Sequence, residues 1–139
     1  MGFFKSKIII DTKFHKKERL CSKKQIDSLF AKGTSITTFP VKVIFSETSV
    51  EFVNPCQVMF VVPKRLFKRA HDRNKTKRRL REAYRLNKTH FYELLNNNNK
   101  KVIFSFIYIG KKIASYDEIE KSISTTLKKM TEQLSDIKH

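Results

Sequence analysis

The feature that most constrains this chain is a strongly basic segment, residues 64–88, that also carries an apolar stripe at helical spacing. Twelve of its 25 residues are Lys or Arg and two are acidic, so it holds +10 of the formal net charge of +17. Apolar residues recur every three or four positions from residue 80, which predicts a helix from His71 or Asp72 to about Leu95. Because like charges one turn apart destabilise a helix, we expect this one to pack on a core and to offer its cations to a polyanion.

The polar face of that predicted helix consists of residues that advance by alternating steps of four and three. Its members are Asn74, Arg78, Arg81, Arg85 and Lys88, with Arg73 and Lys77 beside them. The apolar residues fall elsewhere on the circumference: Leu80, Ala83, Tyr84 and Phe91. Arg presents a planar fork to phosphate and Lys a point charge, so this arrangement favours nucleic acid as the partner. The alternative is a solvated basic face with no partner, which the total charge disfavours.

The composition narrows the class of protein further. A chain of 139 residues that is 40% hydrophobic and contains 12 Phe and 4 Tyr can bury one core, which argues against disorder throughout and for one domain. Cys21 and Cys56 match no metal-ligand spacing. They are either two free thiols in a reducing cytoplasm, as we expect, or one disulfide. Since no apolar run approaches the ~18 residues that span a bilayer, we expect a cytoplasmic protein without a membrane partner.

Hydrophobic periodicity elsewhere predicts the order helix, two or more strands, basic helix, strand and helix. The predicted boundaries are residues 22–31 for the first helix, 36–45, 58–62 and 102–109 for the strands, and 116–134 for the last helix. The near-continuous apolarity of residues 102–109 predicts a central strand covered on both faces. This order indicates an α+β or α/β sandwich with one sheet. Residues 1–15 are predicted to be a basic N-terminal tail, either loosely ordered or adding a short strand at 8–10.

Residues 67–85 resemble the signature of the protein subunit of bacterial ribonuclease P. That pattern is Arg-Asn-Arg, an apolar residue, Lys-Arg, two mostly apolar residues and Arg. The residues that fall on it directly are Arg73, Asn74, Lys77, Arg78 and Arg81. The sequence departs from the pattern at Lys75, where Arg is usual, and at Thr76 and Arg79, where apolar residues are usual. Weaker similarity covers most of residues 16–135 and includes Arg19-Leu20 before the first helix.

The resemblance implies a fold and a function. The fold would be a two-layer α+β sandwich with one central mixed sheet and a left-handed βαβ crossover, a hand seen in only about 2% of such units. Residues 16–139 would form a single RNA-binding domain. The protein would bind the catalytic RNA of ribonuclease P and the 5′ leader of precursor tRNA, and would assist Mg²⁺-dependent endonucleolytic removal of that leader. The RNA subunit would carry the catalytic site and hold most of the Mg²⁺, and no obligate protein partner is implied.

The expected site residues follow from the motif and its flanks. The predicted RNA contacts are Lys64, Arg65, Arg69, Arg73, Asn74, Lys75, Lys77, Arg78, Arg81 and Arg85. The predicted leader cleft is lined by Ile26, Phe30, Val41 and Val43. Phe30 either stacks on a base or fastens the first helix to the sheet, and the two valines either floor the cleft or belong to the core.

We expect no catalytic and no metal-binding residue on the protein, because the scattered acids form no carboxylate cluster and no nucleophile–base pair stands out. The competing function is a ribosomal or chromatin-type basic protein that only binds nucleic acid. The charge alone would suit that class, whereas the ordered Arg-Asn-Lys-x-Lys-Arg-x-x-Arg run favours ribonuclease P.

Overall fold

A computed structural model describes residues 18–48 and 55–136 of the chain, with side chains to residue 134. These residues form three helices and four strands in the predicted order. In chain order they are α1 (Lys23–Lys32), β1 (Thr34–Thr38), β2 (Val41–Glu47), β3 (Cys56–Val61), α2 (Ala70–Asn97), β4 (Val102–Tyr108) and α3 (Tyr116–Asp136). The α+β class with one sheet is thereby confirmed. The predicted tail at residues 1–15, with its alternative strand at 8–10, lies outside the described residues.

The four strands form one mixed sheet in the order β1-β2-β4-β3. β1 pairs antiparallel with β2 and β2 antiparallel with β4, whereas β3 and β4 are parallel neighbours. Since parallel neighbours require a crossover connection, α2 serves as the crossover of a β3–α2–β4 unit. The hand of that crossover stays a prediction. β4 lies between two partners and is buried along nearly its whole length, as its apolar sequence predicted.

The two faces of the sheet carry cores of different size. The main core lies on the face covered by α2 and α3, and its strand residues include Val41, Val43, Phe45, Val58, Phe104, Phe106 and Tyr108. The opposite face carries a smaller cluster beneath α1, formed by Leu20, Leu29 and Ile103 with Ile26, Ile44 and Met59 packed against it. Alternate residues of a strand point to opposite faces, so each strand contributes to both clusters.

The predicted strand at residues 36–45 is wrong in one respect, because the chain reverses within it. β1 and β2 form a hairpin in which Thr38 pairs with Val41 and only Phe39 and Pro40 make the turn. The peptide bond between these two residues is cis. In the sequence the apolar residues Phe39, Val41, Val43 and Phe45 alternate straight through the turn, although Phe39 is exposed, and for this reason periodicity alone does not locate the turn.

The ends of α1 and α2 follow the predicted stop and start signals. The Ser22 side chain accepts a hydrogen bond from the backbone N–H of Gln25 at the start of α1. The asparagine run ends α2, with Asn98 as its C-cap and Asn99 at a φ of 57°, a left-handed conformation that asparagine tolerates. Both helices are therefore bounded by local sequence, and their positions on the sheet come from packing.

Candidate nucleic-acid interface

Helix α2 is held in place by one apolar side. The buried residues on that side include Leu80, Ala83, Tyr84, Phe91 and Leu95, in agreement with the predicted stripe. Thr76, which stands where an apolar residue was expected, is also buried, and its Oγ1 donates to the backbone oxygen of Asp72 at 3.0 Å. Because that hydroxyl is satisfied, the helix packs closely despite the polar residue. The rest of the helix circumference carries the charge.

A wide groove of about 880 Å³, here called the cationic groove, runs along α2 beside the start of α3. It is lined by Lys75, Arg78, Arg79, Arg81, Glu82, Arg85 and Tyr116. Glu82 is the one acid of this lining, and Arg85 Nη2 lies 2.6 Å from its Oε2. The hydrogen bond from Arg85 lowers the pKa of Glu82, so this carboxylate remains charged and neutralises one of the five cations. The groove as a whole is positive and fits a polyanion.

Arg81 also lines a second cavity, of about 170 Å³, together with Arg19 and Lys77. The segment before α1 runs beside β3, where the Leu20 N–H donates to the Val58 oxygen at 2.9 Å. Burial, followed by the charge of Arg19, lowers the pKa of Arg81. The Arg81 Nε is buried and has no hydrogen-bond partner within the described ranges. Three cations therefore converge on one cavity, where a bound phosphate would offset their mutual repulsion.

The structure distributes the predicted RNA contacts between exposed and half-buried positions. The exposed ones are Lys64, Arg65, Arg69, Asn74 and Arg78, and the half-buried ones are Arg73, Lys75, Lys77, Arg81 and Arg85. Arg73 is bound within the protein: its Nη1 donates to the backbone oxygens of Phe67 at 2.7 Å and Lys68 at 2.9 Å. This side chain therefore braces the loop that precedes α2.

Lys88 does not belong to the polar face, so its predicted position is wrong. The residue is fully buried, and its Nζ lies 2.7 Å and 2.9 Å from the two carboxylate oxygens of Glu18. The steps of four and three place Lys88 close to the boundary between the two sides of the helix. The buried carboxylate, 70 residues earlier in the chain, draws it to the inner side.

The four residues of the predicted leader cleft are divided between the two faces of the sheet. Phe30 on α1 is 45% exposed, and Ile26 is half-buried against the small cluster on the α1 face. Val41 and Val43 are fully buried in the main core on the opposite face, so their assignment to the cleft is wrong. The strand pleat explains the error, because the β2 residue that packs under α1 is Ile44.

The lining residues of the two cavities that were not among the predicted contacts include Arg19, Arg79 and Tyr116. Arg79 spans from α2 to the loop before α3, where its Nη1 donates to the Ala114 oxygen at 2.6 Å. The Tyr116 hydroxyl is buried and has no hydrogen-bond partner in the described part of the chain. Arg19 could have been predicted from the family resemblance, which includes the pair Arg19-Leu20 before the first helix. No local sequence pattern indicated the positions of Arg79 and Tyr116.

The acids of the described residues do not fit a protein-borne site for a divalent cation. No group of three or more His, Cys, Asp or Glu residues converges within residues 18–48 and 55–136, and a hard cation takes several oxygen ligands. We therefore assign no step to a magnesium ion held by this chain.

Among the described helices, none is long and apolar enough to cross a bilayer.

The fold and the cationic groove define a small α+β domain of the class that binds nucleic acid through a basic helix. A family model described as Ribonuclease P matches residues 14–131. The chain therefore belongs to the ribonuclease P protein family, and the resemblance seen in the sequence is confirmed.

Individual relatives agree with this membership. The ribonuclease P protein component of Porphyromonas gingivalis is 29% identical over 112 residues, which are 81% of this chain and 82% of that protein. The structure of the Staphylococcus aureus RNase P protein superimposes with a TM-score of 0.65 at 21% identity, covering 81% of this chain and 94% of the other. The RNase P protein from Thermotoga maritima gives a TM-score of 0.60 at 21% identity, with 81% and 96% coverage. At these identities the two structures show a shared fold.

Membership in the family also gives the function at a coarse level. The chain is a ribonuclease P protein component, which acts in tRNA processing as part of an endoribonuclease holoenzyme and has an RNA partner. The competing assignment, a ribosomal or chromatin-type basic protein, is not favoured.

Proposed function

We propose that this chain binds the catalytic RNA of ribonuclease P through α2 and the 5′ leader of precursor tRNA beside α1, in the cytoplasm. The cleavage would be carried out by the RNA subunit with Mg²⁺ that the RNA mainly holds. The observation that supports this most is the cationic groove, in which five Lys and Arg side chains lie along one helix that is fastened to a core.

The groove contributes binding and orientation. Arg78 is exposed, Lys75 and Arg81 are half-buried, and successive members lie one turn apart, at intervals of ~5–6 Å. Phosphates that occupy these positions release counterions, so affinity would fall steeply with salt, by roughly 0.7–0.9 log units per contact for each log unit of salt. Because the helix backbone is held by its packed side, few degrees of freedom are lost when RNA binds.

The leader would lie near α1 and the cavity that Arg19, Lys77 and Arg81 share. Phe30 offers an exposed ring for one base, and stacking of a base on an aromatic side chain contributes about 1–3 kcal/mol. The three cations of the cavity would take a neighbouring phosphate. Ile26 adds apolar contact and has no ring on which a base could stack.

The protein would bind and position the substrate, and the RNA would carry out the cleavage. The described residues contain no acidic cluster for a protein-borne metal site. Both cysteines are free thiols, Cys21 exposed and Cys56 buried. The chain would therefore raise substrate affinity and position the leader without donating a catalytic group.

The decisive experiment reconstitutes the holoenzyme. The protein is mixed with a bacterial ribonuclease P RNA and a precursor tRNA at low Mg²⁺, and release of the 5′ leader is followed. We expect the protein to stimulate cleavage. If it binds RNA but leaves cleavage unchanged, the proposed role is wrong.

A charge-matched pair of variants locates the interface. Arg78→Ala should weaken association with the catalytic RNA and lower the slope of log affinity against log salt by about one unit. Lys129→Ala removes an exposed cation from α3 and should leave that slope unchanged. Equal effects of the two variants would show that binding depends on total charge and not on the cationic groove.

A further inference from the structure

Three connections of the fold meet at one end of the sheet. They are the β1–β2 turn at Phe39 and Pro40, the segment between β3 and α2, and the segment between β4 and α3. The strand register places them together, since Val41 pairs with Tyr108 and Val61 with Ile107. This end of the sheet is distinct from the cationic groove, and Phe39 takes no part in the RNA binding proposed for that groove.

Phe39 is 71% exposed, the most exposed of the large apolar side chains in the described ranges. The backbone on either side of it is anchored. The Ser122 hydroxyl donates to the Thr38 oxygen, and the Ile109 N–H donates to the Pro40 oxygen at 2.9 Å. The turn therefore presents the ring to solvent from a braced backbone, and little ordering remains to be done when a ligand contacts it.

A cavity of about 530 Å³ adjoins the ring and is lined in part by Lys111 and Lys112, both exposed. The loop that carries these lysines is held by Tyr108, whose hydroxyl donates to the Lys112 oxygen at 2.5 Å and accepts from the Ala114 N–H at 2.9 Å. Arg79 binds the same Ala114, which connects the loop to the cationic groove. The two lysines thus have a defined position beside Phe39.

The charge of this end favours an anionic ligand. Four further exposed cations precede α2, at Lys64, Arg65, Lys68 and Arg69. Their loop is joined to β4 through Phe67, whose ring centroid lies 5.8 Å from that of Tyr108. Glu118 also lines the cavity, but it is engaged at the start of α3, where its backbone N–H donates to the Ser115 hydroxyl at 3.2 Å and its carboxylate accepts from Ser115.

We propose that Phe39, Lys111 and Lys112 form a second RNA-binding site, which holds one unpaired base on the Phe39 ring and the adjoining phosphates on the two lysines. An exposed ring beside cations is the arrangement by which proteins bind single strands, because every base offers a π-face. An apolar protein surface would instead have to desolvate both lysines. The site rests on the proposed function, since its ligand would be an unpaired segment of the same RNA partner.

Tryptophan fluorescence tests the site directly, because the chain contains no Trp and Phe39→Trp would supply the only one. A short single-stranded oligoadenylate should quench the indole fluorescence of this variant. An abasic oligonucleotide of equal length, which keeps the phosphates and lacks the bases, should quench it far less. Thr125→Trp is the control: Thr125 is also exposed, but it lies on α3 outside both the cationic groove and the cavity beside Phe39, and its variant should show little quenching.

Affinity measurements complete the test. Phe39→Ala should weaken oligoadenylate binding about five-fold or more and leave binding of the abasic strand unchanged. Lys111→Gln combined with Lys112→Gln should weaken binding of both strands and lower the salt slope by about 1.4 units, at about 0.7 for each contact to a single strand.

The outcomes separate this site from the proposed function. If the protein stimulates leader cleavage but Phe39→Trp is not quenched by oligoadenylate, the second site is wrong and the function stands. A fluorescence change that depends on protein concentration without RNA would also overturn it, because it would assign the ring to contacts between copies of the chain. If the protein neither binds RNA nor stimulates cleavage, the function itself fails, and the second site fails with it.

Discussion

Lys88 gives the sharpest test of how α2 is held, because it is a cation at a fully buried position. Its Nζ lies 2.7 Å from Glu18 Oε2, and the Tyr92 hydroxyl donates to the same oxygen at 2.5 Å. Glu18 is 2% exposed. This ion pair fastens the segment before α1 to the crossover helix, immediately beside Arg19.

Lys88→Met removes the cation and keeps most of the side-chain volume. The Glu18 carboxylate then stays buried without its cation, and breaking a buried pair in this way costs about 3–5 kcal/mol. Since domains of this size are stable by about 5–15 kcal/mol, the loss is a large fraction of the total. Urea unfolding followed by circular dichroism measures it as a fall in the free energy of unfolding.

The double variant Glu18→Gln with Lys88→Met is the control. A neutral amide can still accept from Tyr92, so the double variant should recover most of the loss, since replacing a buried pair as a unit is often nearly neutral. A cost below about 1 kcal/mol for Lys88→Met would refute the reasoning, as would a double variant less stable than the single one.

RNA binding gives an independent reading of the same residue. Lys88 is fully buried and contacts no solvent, so its removal should leave the salt slope for RNA unchanged in any variant that remains folded. A slope lower by one unit would show that Lys88 contacts RNA and belongs to the polar face.

Four further predictions concern stability and thiol chemistry. Arg73→Ala should lower the free energy of unfolding by about 1–3 kcal/mol in urea, because two charged hydrogen bonds to backbone oxygens are lost, whereas Arg78→Ala should change it little. A thiol reagent at neutral pH should label Cys21 in the folded protein and both cysteines in urea, and equal labelling of the folded protein would contradict the burial of Cys56. Burial raises the pKa of Cys56 to about 12. The stability that the protonated thiol contributes should therefore be lost as the pH rises from the ordinary thiol pKa of about 8.5 to about 12. Cys56→Ala should flatten that part of the plot of unfolding free energy against pH. Gly33→Ala would place its Cβ 2.5 Å from the backbone oxygen of Leu29. Thermal unfolding should then show a free energy of unfolding lower by about 1–3 kcal/mol. An unchanged midpoint would contradict the crowding.

The sequence by itself determined the helices, the central strand β4 and the family. Helix periodicity, the asparagine run and the apolar strand at residues 102–109 are local signals, and each appears in the structure within a few residues of its predicted place. The Arg-Asn-Lys-x-Lys-Arg-x-x-Arg run is local as well, and it identified the family before any fold was known. Such features can be predicted from sequence because the residues that cause them lie within one or two helical turns of one another along the chain.

Only the tertiary structure decided which side of each element meets which neighbour. Val41 and Val43 belong to the core because α2 and α3 cover their face of the sheet, and strand alternation is identical for either choice. Lys88 turns inward because a carboxylate 70 residues away is buried beside it. The exposure of Phe39 likewise depends on a turn whose backbone is braced by Ser122 of α3 and by Ile109 after β4. Burial and charge pairing depend on contacts between segments that are distant in the chain, and the residue pattern of one segment does not predict those contacts.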